Sequence, residues 1–229
     1  MTTKTEIHKR RIGSVVIFDL FGELNDNEID AIRDFMEKNI QRGGFRNVIL
    51  NAQHILHIDQ LALRKILVPL ERPHRKAVYC SSPELLNVFL NTYLPEKTAI
   101  CKNEAEISDV FGLYLVEKDK FIFKGERRKS KRIEVAIPVT VKIDVSSSEV
   151  CPTIALITNL SDGGFYAEYL DLQSALTVRN IRDIKSRPAQ AIFKPPLSSS
   201  DRTFDIEVIR VEVASRQTGL AVRFASKQE

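Results

Sequence analysis

The hydrophobic pattern of this chain changes period near its middle, and that change constrains the fold more than any single motif. Up to about residue 115, strand-length apolar runs alternate with stretches of helical spacing. From Ile133 onward only strand-like patterns recur. Val135, Ile137, Val139, Val141, Ile143 and Val145 keep the two-residue period of a half-buried strand. A chain of 229 residues exceeds one typical domain and suits two. With 43% hydrophobic and 28% charged residues, each half can build a core.

In the first half, Ser14–Phe21 is a buried strand closed by Gly22. Asn25 to Arg42 reads as a helix. Ile29, Ile32, Phe35, Met36 and Ile40 lie on one face, and Asp26, Glu28 and Asp30 crowd the first turn, where the helix dipole favours anions. Gly43-Gly44 stops it. Val48–Leu50, Ala77–Cys80 and Thr98–Cys101 are short strands. Leu63, Ile66, Leu67 and Leu70 mark a second helix. Pro83 opens a third, with Leu86, Phe89, Leu90 and Tyr93 inward, and Glu104 to Leu115 is the last. This alternation predicts an α/β layer domain over residues 1–115.

Residues 116–126 form a charged linker that contains the apolar triplet Phe121-Ile122-Phe123. Residues 127–229 then offer strands at Thr153–Leu160, Phe165–Tyr169, Ala189–Phe193, Phe204–Val213 and Leu220–Phe224, besides the strand that follows Ile133. A helical turn is expected within Val178–Lys185. Many short antiparallel strands joined by Gly, Pro and Ser turns predict a closed or nearly closed barrel, because closure removes exposed edges.

The net charge of +4 belongs to the second half: residues 1–120 hold 17 basic and 17 acidic side chains, residues 121–229 hold 17 and 13. Six basic residues fall between Lys124 and Arg132, so an anion is expected there. Other classes find little support. No apolar run approaches the roughly 20 residues of a membrane span, and no signal-peptide pattern follows Met1. Cys80, Cys101 and Cys151 read as reduced thiols of a cytoplasmic protein. His54 and His57 lack further metal ligands at a fitting spacing, so no metal is expected. GxSxG, Walker A, HExxH and GxGxxG are all absent, which argues against an enzyme. The basic run has no aromatic stacking platform beside it, which argues against nucleic acid.

Two short motifs remain: Arg127-Arg128-Lys129-Ser130-Lys131-Arg132, and Asn159-Leu160-Ser161-Asp162-Gly163-Gly164. Alone, the first would be a solvated charge cluster and the second a hairpin turn. Together they resemble the two-part signature of the PilZ family, RxxxR followed by [D/N]xSxxG. Gly219-Leu220-Ala221-Val222-Arg223-Phe224 resembles that family's closing strand. The resemblance implies a six-stranded barrel that binds cyclic di-GMP through Arg128, Arg132, Asn159, Ser161 and Gly164. Arginine suits this ligand because its planar fork bonds phosphate and guanine edges bidentately and stacks on bases. Arg127, directly before RxxxR, implies two stacked ligand molecules.

The first half resembles the STAS domain of anti-sigma-factor antagonists, through Val15–Gly22 followed by Glu23-Leu24, through Asn47–Asn51, and through His57-Ile58-Asp59 leading into a helix. That family carries a D-S-x-G turn with a phosphorylated serine. Here the stretch is Asp59-Gln60-Leu61-Ala62, and Gln60 cannot accept a phosphate. Asp59 is expected instead as a helix N-cap. The resemblance leaves this half as a docking or dimerising module for a protein partner not identified by sequence, a homodimer included. The resulting expectation is a cyclic di-GMP receptor acting through the STAS-like half. The alternative is a ligand-independent adaptor of the anti-sigma-factor-antagonist type.

Overall fold

The computed structural model describes residues 5–24, 26–116, 132–146, 148–214 and 217–225. The chain divides into two compact units, Met1–Tyr114 and Leu115–Glu229. The first opens with a strand the sequence pattern hid. β1 (Glu6–Ile12) pairs antiparallel with β2 (Val15–Leu24) across a turn in which Gly13 takes a φ of 56°. Its charged residues mask the period because β1 is a sheet edge, where charge discourages pairing with other chains.

β3 (Asn47–Ile58), β4 (Arg75–Tyr79) and β5 (Thr98–Cys101) complete a five-stranded sheet in the order β1-β2-β3-β4-β5, all parallel from β2 to β5. Between them run α1 (Asp26–Gly43), α2 (Gln60–Leu67) and α3 (Pro83–Leu90), and after β5 comes α4 (Glu104–Phe111). Val16, Phe18 and Leu20 of β2 and Val48 and Leu50 of β3 pack with Ile29 and Met36 of α1 and Leu63 and Ile66 of α2. Each such side chain contributes about 1.5–3 kcal/mol when fully buried.

Several expectations need correction. Gly22 does not end β2. It sits inside the strand at φ 86°, beside register shifts against β3, and the strand runs on to Leu24. β3 spans 12 residues rather than three. The second helix stops at Leu67 and continues as a 3-10 turn, Val68–Glu71, because Pro69 has no N–H to extend the α-helix. In the third helix, Leu85 and Phe89 are buried, while Leu90, its last residue, and Tyr93 beyond its end are 67% and 74% exposed. The last helix ends at Phe111, where Gly112 takes a φ of 48° and a 3-10 turn reaches Leu115. Asp59 does cap α2: its Oδ1 accepts from Ala62 N at 2.7 Å.

The other unit is a closed antiparallel barrel of six strands: β6 (Ile133–Ser146), β7 (Glu149–Ser161), β8 (Gly164–Glu168), β9 (Ala189–Phe193), β10 (Arg202–Ala214) and β11 (Gln217–Phe224), in the order β10-β11-β8-β7-β6-β9. Pairing of β9 with β10 closes the ring. Val139, Val141, Ile143, Ala155, Ile157, Ala167, Leu220 and Val222 fill its interior. Pro138 is tolerated in β6 because β9 pairs only with Thr140–Ile143, which leaves no ladder bond for the proline to break on that side. The helix of this unit lies earlier than the turn expected within Val178–Lys185. α5 (Leu172–Arg179) starts at Asp171, whose carboxylate accepts from Gln173 N and Ser174 N, and only a 3-10 turn, Ile184–Ser186, follows.

Candidate functional site

The second motif forms the hairpin between β7 and β8. Ser161 pairs with Gly164, and Asp162-Gly163 are the two loop residues. The positive φ falls on Gly164, at 152°, and not on the loop pair. A Cβ at Gly164 would stand 2.1 Å from the Val222 carbonyl oxygen and 2.9 Å from Arg223 Cα. Glycine is therefore required here by the approach of β11, whatever else approaches the turn. Phe224 N donates to Gly163 O at 3.1 Å, which ties the turn to the end of β11.

Beneath the turn, four phenylalanines plug this end of the barrel. Phe165 packs against Phe193 and Phe224, with centroids 5.7 and 5.9 Å away, and Phe204 lies 4.8 Å from Phe193 and 5.1 Å from Phe224. Aromatic pairs at these separations add about 0.5–1.5 kcal/mol each beyond their buried area.

The register decides which side chains share the outer face. Leu160 and Phe165 pack on the barrel core, so their neighbours Asn159, Ser161, Gly164 and Tyr166 lie on the other side of the sheet. Ile133 pairs with Leu160, and Glu134 with Asn159. Arg132 directly precedes β6. On the far side, Gly164 pairs with Arg223, and Arg223 with Glu207. One row therefore runs Ser161, Gly164, Arg223, Glu207 across four strands.

The hydrogen bonds show what this row has to offer. Ser161 Oγ donates to Gly164 O at 3.1 Å, so the hydroxyl proton braces the turn and the oxygen is left to accept. The Asn159 side chain is half-buried and makes no hydrogen bond among the described residues; Arg132 is exposed. An amide and a hydroxyl acceptor thus share one face, a pair able to meet the donor and acceptor groups of a polar ligand. Arg127 and Arg128 lie outside the described residues.

Two side chains of this face are not marked by the motifs. Arg223 makes an ion pair with Glu207. Tyr166 donates its Oη to Glu212 Oε2 at 2.8 Å, and burial, with the charge of Glu168 added, pushes its phenol pKa up. Neither is detectable without the register, since each belongs to a strand with its own inward and outward alternation.

Among the described residues no group of three or more His, Cys, Asp or Glu is placed to hold a metal, and no helix is long and apolar enough to cross a membrane. The three cysteines are free thiols.

No family model matches the chain, and no curated protein matches it. Among solved structures, the first half is similar to the phosphorylated Bacillus cell fate determinant SpoIIAA, at 21% identity and a TM-score of 0.37 over 47% of this chain and 99% of that one. The barrel is similar to the PilZ domain of YcgR from Escherichia coli, solved with c-di-GMP, at 18% identity and a TM-score of 0.31 over 44% of this chain and 79% of that one. It is also similar to the Bacillus subtilis inhibitor of motility MotI, at 16% identity and a TM-score of 0.31 over 44% of each chain. The architecture is an α/β domain on a five-stranded sheet followed by a closed six-stranded antiparallel barrel.

Proposed function

We propose that this protein is a non-enzymatic receptor for cyclic di-GMP, and that the ligand, bound on the barrel's outer face, alters how the STAS-like half engages a protein partner. The observation that carries the reading is the adjacency of Ser161 and Asn159 on one outer face, next to the strand that Arg132 leads into. Ser161 retains its accepting oxygen, and Asn159 keeps its amide available. Arg132 and Arg128 grip phosphate or guanine as bidentate forks, and Arg127 holds a second, stacked molecule. Each charge-assisted hydrogen bond is worth about 1.5–3 kcal/mol. A handful, less ordering costs, reaches about −8 kcal/mol, a micromolar affinity. Domain limits of 1–115, 116–126 and 127–229 go with this reading, in which the basic segment supplies Arg127, Arg128 and Arg132 to the ligand. Titration of the full chain with cyclic di-GMP tests it, and Arg128→Ala should abolish the heat of binding.

The second reading is a ligand-independent adaptor. Exposed apolar side chains on the first unit favour protein docking by that half: Leu61, at the start of α2, is 54% exposed, and Leu90 and Tyr93 more so. Partner capture that is unchanged by cyclic di-GMP would support the adaptor and contradict the switch.

A further inference from the structure

Resting on the cyclic di-GMP reading, we infer that Arg223 is a further phosphate-binding arginine of this site and that Glu207 competes with the ligand for it. Arg223 stands directly across the β8–β11 ladder from Gly164, in the row that holds Ser161. Strands lie about 4.8 Å apart, so its Cα is about 10 Å from that of Ser161, within the span of a ring carrying two phosphates and two guanines. Its alternation is fixed: Val222 and Phe224 on either side pack into the barrel core, which leaves the Arg223 side chain on the outer face. That side chain is 63% exposed.

The hydrogen bonds point the same way. Nε donates to Glu207 Oε2 at 3.1 Å, and Nη2 donates to the same oxygen. Two donors on one oxygen is a poor use of the fork, which matches two oxygens of a carboxylate or phosphate. Nη1 makes no hydrogen bond among the described residues. An exposed pair of this kind holds its partners weakly. A phosphodiester offers Arg223 two non-bridging oxygens, one for each arm of the fork, at the same single negative charge as Glu207. Backbone position is not the variable, because Gly164 and the Phe224–Gly163 hydrogen bond hold this stretch of β11 against the turn. The guanidinium has only to rotate from Glu207 toward the ligand.

The test is a calorimetric titration of the full chain with cyclic di-GMP, comparing wild type, Arg223→Ala, Arg223→Lys and Glu207→Gln. Thermal unfolding of each without ligand separates loss of fold from loss of binding. Arg223→Ala should weaken binding by about tenfold or more, the loss of one charge-assisted contact. Arg223→Lys should recover only part of it, since a lysine keeps the charge and loses the fork. Glu207→Gln should tighten binding severalfold, and the gain should shrink with added salt. Unchanged affinity in a folded Arg223→Ala protein would overturn this inference and leave the cyclic di-GMP reading intact. Weaker binding by Glu207→Gln would overturn the competition. No binding by the wild type would overturn the ligand reading and this inference with it.

Discussion

Gly164 and Arg223 face each other across the β8–β11 ladder, and the missing Cβ of Gly164 lets the Val222–Arg223 backbone come close. Gly164→Ala would force a methyl within 2.1 Å of the Val222 carbonyl oxygen, at a φ of 152° that side chains avoid. Strain and overpacking together should cost about 2–4 kcal/mol. Urea unfolding followed by a barrel probe measures it. A loss below about 0.5 kcal/mol, the range of an ordinary surface change, would show that β11 gives way easily. Any loss of ligand binding by Gly164→Ala is therefore read only alongside its stability.

The first unit hides an ion pair. Arg10 of β1 donates Nε to Asp19 Oδ2 at 2.6 Å and Nη2 to Oδ1 at 3.0 Å, and Asn51 Nδ2 donates to the same Oδ1 at 2.6 Å. Asp19 is fully buried and Arg10 only 4% exposed. Asp19→Ala removes the carboxylate that takes two of the buried guanidinium's donors, a change worth about 3–5 kcal/mol. The double change Arg10→Met with Asp19→Leu should cost less than Asp19→Ala alone, because it buries no charge. Equal losses in denaturant unfolding would contradict this.

Cys101, at the end of β5, gives a pH signature. Burial, with the charges of Glu106 and Asp109 added, pushes its thiol from the ordinary 9.0 up to about 12. The folded state holds the proton more tightly than the unfolded state. Its contribution to stability is therefore full below about pH 9 and is lost as pH rises toward about 12. Cys101→Ala should flatten that part of the alkaline stability curve. Superimposable wild-type and variant curves between these pH values would contradict it. Burial also raises the Cys80 thiol, so both should react slowly with thiol reagents at neutral pH.

The barrel was legible in outline because alternation is strongest where one face is buried: Val139, Val141 and Ile143 read correctly as inward from sequence. Leu90 and Tyr93 were misread because helical spacing identifies a face, not how far along the helix that face stays covered. β1 was invisible because an edge strand carries charge for its own reasons, and the burial of Arg10 goes with an ion pair to Asp19, nine residues away. In the site, Asn159, Ser161 and Gly164 were marked by their spacing. The structural need for Gly164, and the nearness of Arg223, follow from a strand 55 or more residues later, and no local pattern carries that information.

The most direct measurement is a calorimetric titration of the full chain with cyclic di-GMP, run on wild type, Arg127→Ala and Arg128→Ala. Wild type should bind near micromolar affinity with two ligand molecules per chain, Arg127→Ala should bind one, and Arg128→Ala none. No heat of binding by the wild type at about 100 µM ligand, enough to saturate a micromolar site, would contradict the account.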